Sequence, residues 1–181
     1  MEKKIVFALF VLIGLLVFTG WGCQNRVSPT LRDTNTETEI PADWKTYRNE
    51  EWGVSFTYPA DWQYREYRET IEGKEVATLA FSDQELPETL PPEPSFPIMM
   101  FREDGTVESA MSDYTESVYS GDVTLGGRVV KKIVYYSNLL EQNDIVYLIP
   151  LRSGFLRLFV PDGTRYVSIA ENMIINLTET E

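Results

Sequence analysis

The chain has 181 residues, 16 basic and 28 acidic side chains, a formal net charge of −12, no histidine and one cysteine. So acidic a chain has little with which to neutralise nucleic acid phosphate or anionic lipid headgroups, so neither is an expected partner. The missing histidine removes the commonest general base near neutral pH and the commonest transition-metal ligand, and one cysteine makes neither an internal disulfide nor a thiolate zinc site.

The chain opens with Lys3 and Lys4, followed by an unbroken small or apolar run over residues 5–18, IVFALFVLIGLLVF. At roughly 14 residues the run is short of the about 20 that a membrane span needs, and it has the length of a secretory h-region. It leads into Gly20-Trp21-Gly22-Cys23. Small residues before a cysteine at the end of an h-region resemble the bacterial lipobox. That resemblance implies a diacylglycerol on the Cys23 thiol, cleavage of residues 1–22 and Cys23 as the first mature residue. Gly20 stands where a lipobox usually has leucine. Two other readings stay open: a small-x-small cleavage site that leaves a free thiol, or an uncleaved anchor over residues 5–21. Each of the three exports the rest of the chain.

Residues 24–43 are rich in Ser, Thr, Asn, Asp, Glu and Pro and show no apolar period. With Cys23 they form an expected disordered tether, residues 23–43, reaching roughly 25 Å if it behaves as a flexible coil.

The folded domain is expected over residues 44–181. In GVSFTY, Val54, Phe56 and Tyr58 alternate with Ser55 and Thr57, the pattern of a half-buried strand. Residues 44–48 are its expected partner through the NEEWG turn, and Pro59 ends it. Residues 63–68 and 76–81 read as two strands around Glu72-Gly73-Lys74. Five prolines among residues 86–97 exclude helix and central strand, leaving a stiff loop. Residues 98–101 then read as a short strand.

Asp104-Gly105-Thr106 reads as a turn and helix cap. Val107, Ala110, Met111, Tyr114 and Val118 follow at helical spacing and predict an amphipathic helix over residues 107–119. Gly126-Gly127 between β-rich runs predicts a hairpin, and Arg152-Ser153-Gly154 predicts another. Pro161-Asp162-Gly163-Thr164 ends that second hairpin and caps a last helix with Tyr166, Ile169, Ala170, Met173, Ile174 and Leu177 on one face. The order of strands, helix, strands, helix predicts an α+β fold, a largely antiparallel sheet flanked by two helices.

The stretch NEEWGVSFTYPADW, with Gly53, an aromatic strand and Tyr58-Pro59-x-x-Trp62, resembles the opening of the PsbP-like family. VTLGGRVVKKIVYY is similar to that family's glycine-pair hairpin, and the closing helix running into NMIINLTETE also fits. The resemblance spans residues 44–178. It implies an antiparallel sheet flanked by helices and binding or assembly roles without catalysis. It carries over no catalytic residues.

Three groups are site candidates. Trp44, Trp52 and Trp62 crowd the domain's start beside several tyrosines. They form either a ring platform for sugars or a partner, or the lid of a core. Trp62 is expected to be buried, and Trp52, in its turn, partly exposed. Glu103, Asp104 and Glu108 bracket a helix start. They are either an acid/base pair for sugar hydrolysis or charges that offset the helix macrodipole. Phe96, Ile98, Met99 and Met100 follow the proline-rich loop and would, if exposed, make an adaptable apolar patch. Trp52, Phe96 and Met99 are the candidate partner-binding residues, and Cys23 the lipid-attachment site. No metal, cofactor or catalytic residue is expected. The expected function is a lipid-anchored extracytoplasmic protein of a bacterial membrane, binding a protein or envelope component without catalysis. The alternatives are a carbohydrate-binding module built on the aromatic cluster and a small carboxylate-dependent hydrolase.

Overall fold

A computed structural model describes residues 43–71, 73–91, 96–138 and 140–180. The expected signal peptide, Cys23 and nearly all of the tether lie outside the described residues. In chain order the elements are β1 Trp44–Asn49, β2 Val54–Pro59, β3 Gln63–Ile71, β4 Lys74–Ser82, β5 Ile98–Glu103, and α1 Val107–Ala110 running into a 3-10 turn Met111–Tyr114. Then come β6 Tyr119–Leu125, β7 Arg128–Ser137, β8 Gln142–Pro150, β9 Phe155–Pro161, α2 Tyr166–Ile175 and β10 Thr178–Glu179. The strands form a three-stranded sheet of order β1-β2-β10 and a seven-stranded sheet of order β3-β4-β5-β9-β8-β7-β6. The pairings are antiparallel, so the fold is α+β.

β8 explains the layering. Residues 144–149 are buried without a break, so this strand is covered on both faces. On the first face Ile145, Tyr147 and Ile149 stand beside Val160, Leu158 and Leu156 of β9. Leu79, Phe81, Ile98 and Met100 extend this face across β4 and β5. It packs on Val54, Phe56 and Tyr58 of the small sheet and on Ala170, Met173 and Ile174 of α2, giving the main core. The Tyr147 phenol donates to Glu171 Oε1 at 2.6 Å, and Lys132 Nζ reaches the same oxygen at 3.1 Å. These bonds fix α2 against the sheet.

The second face has two separate covers. Val146, Leu148, Ile133 and Phe155 pack under Ala110 of α1. Tyr67 and Ala80 pack under Leu86, with Leu90 and Phe96 of the proline-rich connection closing over them. Arg157 ties the first cover down, bonding Asp113 at 2.9 Å, the Tyr114 hydroxyl at 2.9 Å and Glu103 at 3.0 Å. Between the two covers a strip of this face lies open.

Several expectations need correction. The helix expected over residues 107–119 stops after one turn and a 3-10 turn. Thr106 caps it, accepting from the Ser109 amide. Beyond that, Ser109 and Ser112 hydroxyls bond back to nearby carbonyls, competing with the helical ladder. The Val118 N–H donates to Val134 O at 2.8 Å, so the chain has already joined the sheet. Val118 is 69% exposed rather than part of an apolar face.

Trp52 is buried, at 6% exposure, not presented by its turn. The turn is held from both sides. Asn49 Oδ1 accepts the Trp52 amide at 2.8 Å, and the Thr180 amide donates to Gly53 O at 2.9 Å where β10 pairs with β2. Trp62 is buried as expected, with its ring edge-on to Tyr166 at 5.6 Å. At the head of α2, Thr164 does not cap the helix through its side chain; its hydroxyl donates back to Pro161 O.

Candidate functional site

The open strip on the second face deepens at one end into a cleft of about 580 Å3. Its floor comes from neighbouring strands. Met99 of β5 pairs with Phe159 of β9, and Tyr135 of β7 pairs with Asp144 of β8. Phe96 and Pro97 wall it from the proline-rich connection, Ser82, Gln84 and Glu85 from the end of β4, and Tyr166 from α2. Phe96 and Met99, two of the three candidate partner-binding residues, are half-buried in this wall. Ile98 and Met100 are not part of it: at 0% and 1% exposure they face the main core, because side chains alternate along β5. Trp52 is not among the lining residues.

Each ring of the cleft is braced from behind by another ring. Phe96 stacks on Tyr67 at 5.8 Å, and Phe159 meets Phe101 edge-on at 5.7 Å. Tyr135 leans on Tyr114 at 5.5 Å. Such pairs fix orientation beyond what simple burial gives. The Tyr67 hydroxyl also donates to Pro87 O at 2.8 Å, pinning the proline-rich connection to the sheet.

Polar side chains enter the lining from several elements, Gln84 and Glu85 after β4, Gln142 and Asp144 on β8 and Thr164 before α2. Asp144 is buried, at 7% exposure, and accepts from Gln142 Nε2 at 2.9 Å. Among the described residues no lysine or arginine lines the cleft. Burial pushes the Asp144 carboxyl above the usual aspartate range, against the opposing hydrogen bond from Gln142. Burial likewise pushes the Tyr135 phenol up to about 12, helped by the negative charge of Asp144 and partly offset by Arg157. Tyr135 is therefore a neutral hydroxyl at physiological pH, and Asp144 is an acid held at some cost.

The acidic candidates do not assemble into a catalytic pair. Glu103 is bound to Arg157, and Asp104 lies 3.3 Å from Arg102. Glu108 lines a second, separate pocket of about 560 Å3 with Gly105, Thr106, Lys131 and Arg152, where Lys131 is itself paired with Asp122. The tryptophans do not form a platform among the described residues: Trp52 and Trp62 lie in the main core, and Trp44, half-buried, packs against it.

Asp144, Tyr135 and Phe159 were not singled out in the sequence. The available signal was Asp144 itself, an acid heading DIVYLIPL, a run apolar enough for a strand buried on both faces. A charge at the end of such a strand has to be solvated or held by something.

No family model matches the chain, and no curated protein matches it. Among solved structures, a protein from Bacteroides thetaiotaomicron is similar over 77% of this chain at 16% identity and a TM-score of 0.44. This chain spans about half of that one, 49% of its length. Cyanobacterial PsbP (CyanoP) from Synechocystis is similar over 78% of this chain and 95% of its own at 10% identity, with a TM-score of 0.42. Likenesses this distant carry no inference about what the chain binds.

Proposed function

We propose that the chain is a bacterial lipoprotein, anchored outside the cytoplasm through Cys23, whose PsbP-like domain binds an envelope component or partner through the cleft on its second sheet face without chemical turnover. The observation that carries the binding role is the cleft itself. Its volume lies within the range of ligand sites, about 300–1,000 Å3, and it combines aromatic and apolar walls with converging polar groups. Its rings are braced in place, which lowers the ordering cost of binding. The non-catalytic reading is supported by the carboxylates: Glu103 and Asp104 are engaged by arginines, and the hydrogen-bond partner of Asp144 among the described residues is an amide, that of Gln142. The PsbP-like reading is supported by the Gly53 to Trp62 motif and by the antiparallel architecture that follows it.

The anchor is supported by Lys3 and Lys4, the apolar run over residues 5–18 and the placement of Cys23 behind it. One acyl chain alone gives weak, reversible attachment, and stable anchoring takes more than one. Cells grown with labelled palmitate should label the protein. Cys23→Ser should abolish the label and release the chain from the membrane fraction. Equal labelling of the serine variant would overturn the anchor and leave the cleft untouched.

A further inference from the structure

Among the described residues Asp144 has no cationic partner, and this points to what the cleft takes. A buried carboxylate is expensive unless paired. Elsewhere in this domain the partly buried acids have found cations: Glu103 has Arg157, Asp83 has Arg165, Glu171 has Lys132, and Glu179 has Arg128. Asp144 has only the amide of Gln142. Around it stand the rings of Phe96, Tyr135 and Phe159 and the thioether of Met99, with Glu85 as a second acid in the wall. Arg157, whose charge reaches Tyr135, is committed to Glu103 and Asp113. Tyr166 is the exception among the rings, because the Arg165 guanidinium already lies over it at 5.3 Å.

Negative charge with aromatic faces, and no lysine or arginine among the described lining residues, is the chemistry that holds an ammonium ion. Ring quadrupoles attract a cation over their faces, and the attraction grows when water is excluded. We propose that the cleft binds a small organic ammonium ion, with Asp144 as its counter-charge and Phe96, Tyr135 and Phe159 as the surrounding aromatic walls. This rests on the reading of the cleft as the domain's binding site and gives that site a ligand class. Neutral sugars and anionic headgroups do not fit it, because neither would offset Asp144.

The burial of Asp144 also bears on stability. The titratable groups that share the cleft with Asp144 are Tyr135 from β7, Glu85 from the connection after β4 and Tyr166 from α2; β9 brings only Phe159, Val160 and Pro161. A carboxyl whose pKa is raised on folding binds its proton more tightly in the folded state. The folded state is therefore penalised as pH rises from the unfolded aspartate range through the raised value. Asp144→Asn should raise the melting temperature at pH 7, and the gain should vanish in acid below the unfolded pKa. A ligand that neutralises Asp144 explains why the acid stays despite this cost.

The test is calorimetric titration of the full chain in a neutral maltoside detergent. The probes are choline, its uncharged isostere 3,3-dimethylbutan-1-ol, and an N-acetylated, C-amidated Gly-Lys-Gly tripeptide. Choline should bind, the isostere should not, and Asp144→Asn should weaken choline by about tenfold or more while raising the melting temperature at pH 7. Binding of the tripeptide in preference to choline would overturn the small-molecule assignment in favour of a lysine side chain from a protein. Equal binding of choline and the isostere would overturn the cation assignment while leaving the cleft a binding site. Failure of all three probes to bind would overturn the inference outright.

Discussion

Trp52→Ala should destabilise the protein by about 3–5 kcal/mol, as much as Trp62→Ala, the range for removing a large aromatic side chain from a core. Both rings are buried, at 6% and 5% exposure, in one cluster with Val54, Phe56 and Phe81. For Trp52 the loss extends past packing. Its amide is held by Asn49, whose own Nδ2 donates to the Tyr47 hydroxyl at 2.9 Å, and Tyr47 donates to Glu66 at 2.7 Å. The turn, the small sheet and β3 are thus joined through Trp52's immediate neighbours. Paired urea melts of the two variants followed by circular dichroism would measure this. A Trp52 variant that loses only about 1 kcal/mol, as surface substitutions do, would return the ring to the surface.

Gly126→Ala should cost about 2–5 kcal/mol, and Gly127→Ala only about 1–2 kcal/mol, although the two glycines are adjacent in one turn. Both have positive φ, +56° and +78°, so any L side chain meets the left-handed penalty of about 1–2 kcal/mol. The difference lies in what surrounds them. A Cβ on Gly127 enters open space, whereas one on Gly126 would stand 2.7 Å from Ile175 O and 2.9 Å from Ile175 Cα. That is backbone at the end of α2, which cannot rotate aside, so overpacking adds about 1–3 kcal/mol. Equal losses in denaturant melts of the two variants would show that α2 does not seat on this hairpin.

Much of the sheet was legible because strand periodicity is local. The alternation in GVSFTY, the glycine pair at Gly126-Gly127 and the turn at Arg152-Ser153-Gly154 each mark a strand boundary that the structure keeps. Elements that depend on distant partners were not legible. β10 is two residues long and exists because Ser55 and Val54 lie opposite Thr178 and Glu179. The helical spacing after Thr106 was real for one turn, but Val118 had a β-sheet partner at Val134 that no local pattern reveals. Trp52 looked like a turn residue because it is one; its ring joins the main core from a turn whose Gly53 is bonded to Thr180, near the C-terminal end of the sequence.

The site divides along the same line. Phe96 and Met99 drew attention through the proline-rich stretch before them, and both stand in the cleft wall. Asp144, Tyr135 and Phe159 lie on three other strands and meet only through sheet register. Asp144 takes its chemical meaning from what is missing around it, a cation, and a sequence does not display that kind of absence.

The most direct test of the cleft as the binding site is a methyl NMR titration of the full chain with 13C-methyl methionine and choline, in the same neutral detergent. Met99 and Met100 are adjacent in β5 but point to opposite faces, the first into the cleft and the second, 1% exposed, into the main core. Choline should shift the Met99 methyl in a saturable manner and leave Met100 where it is. A shift at Met100 with Met99 unmoved, or no saturable shift at either, would contradict the assignment of binding to the second face of the sheet.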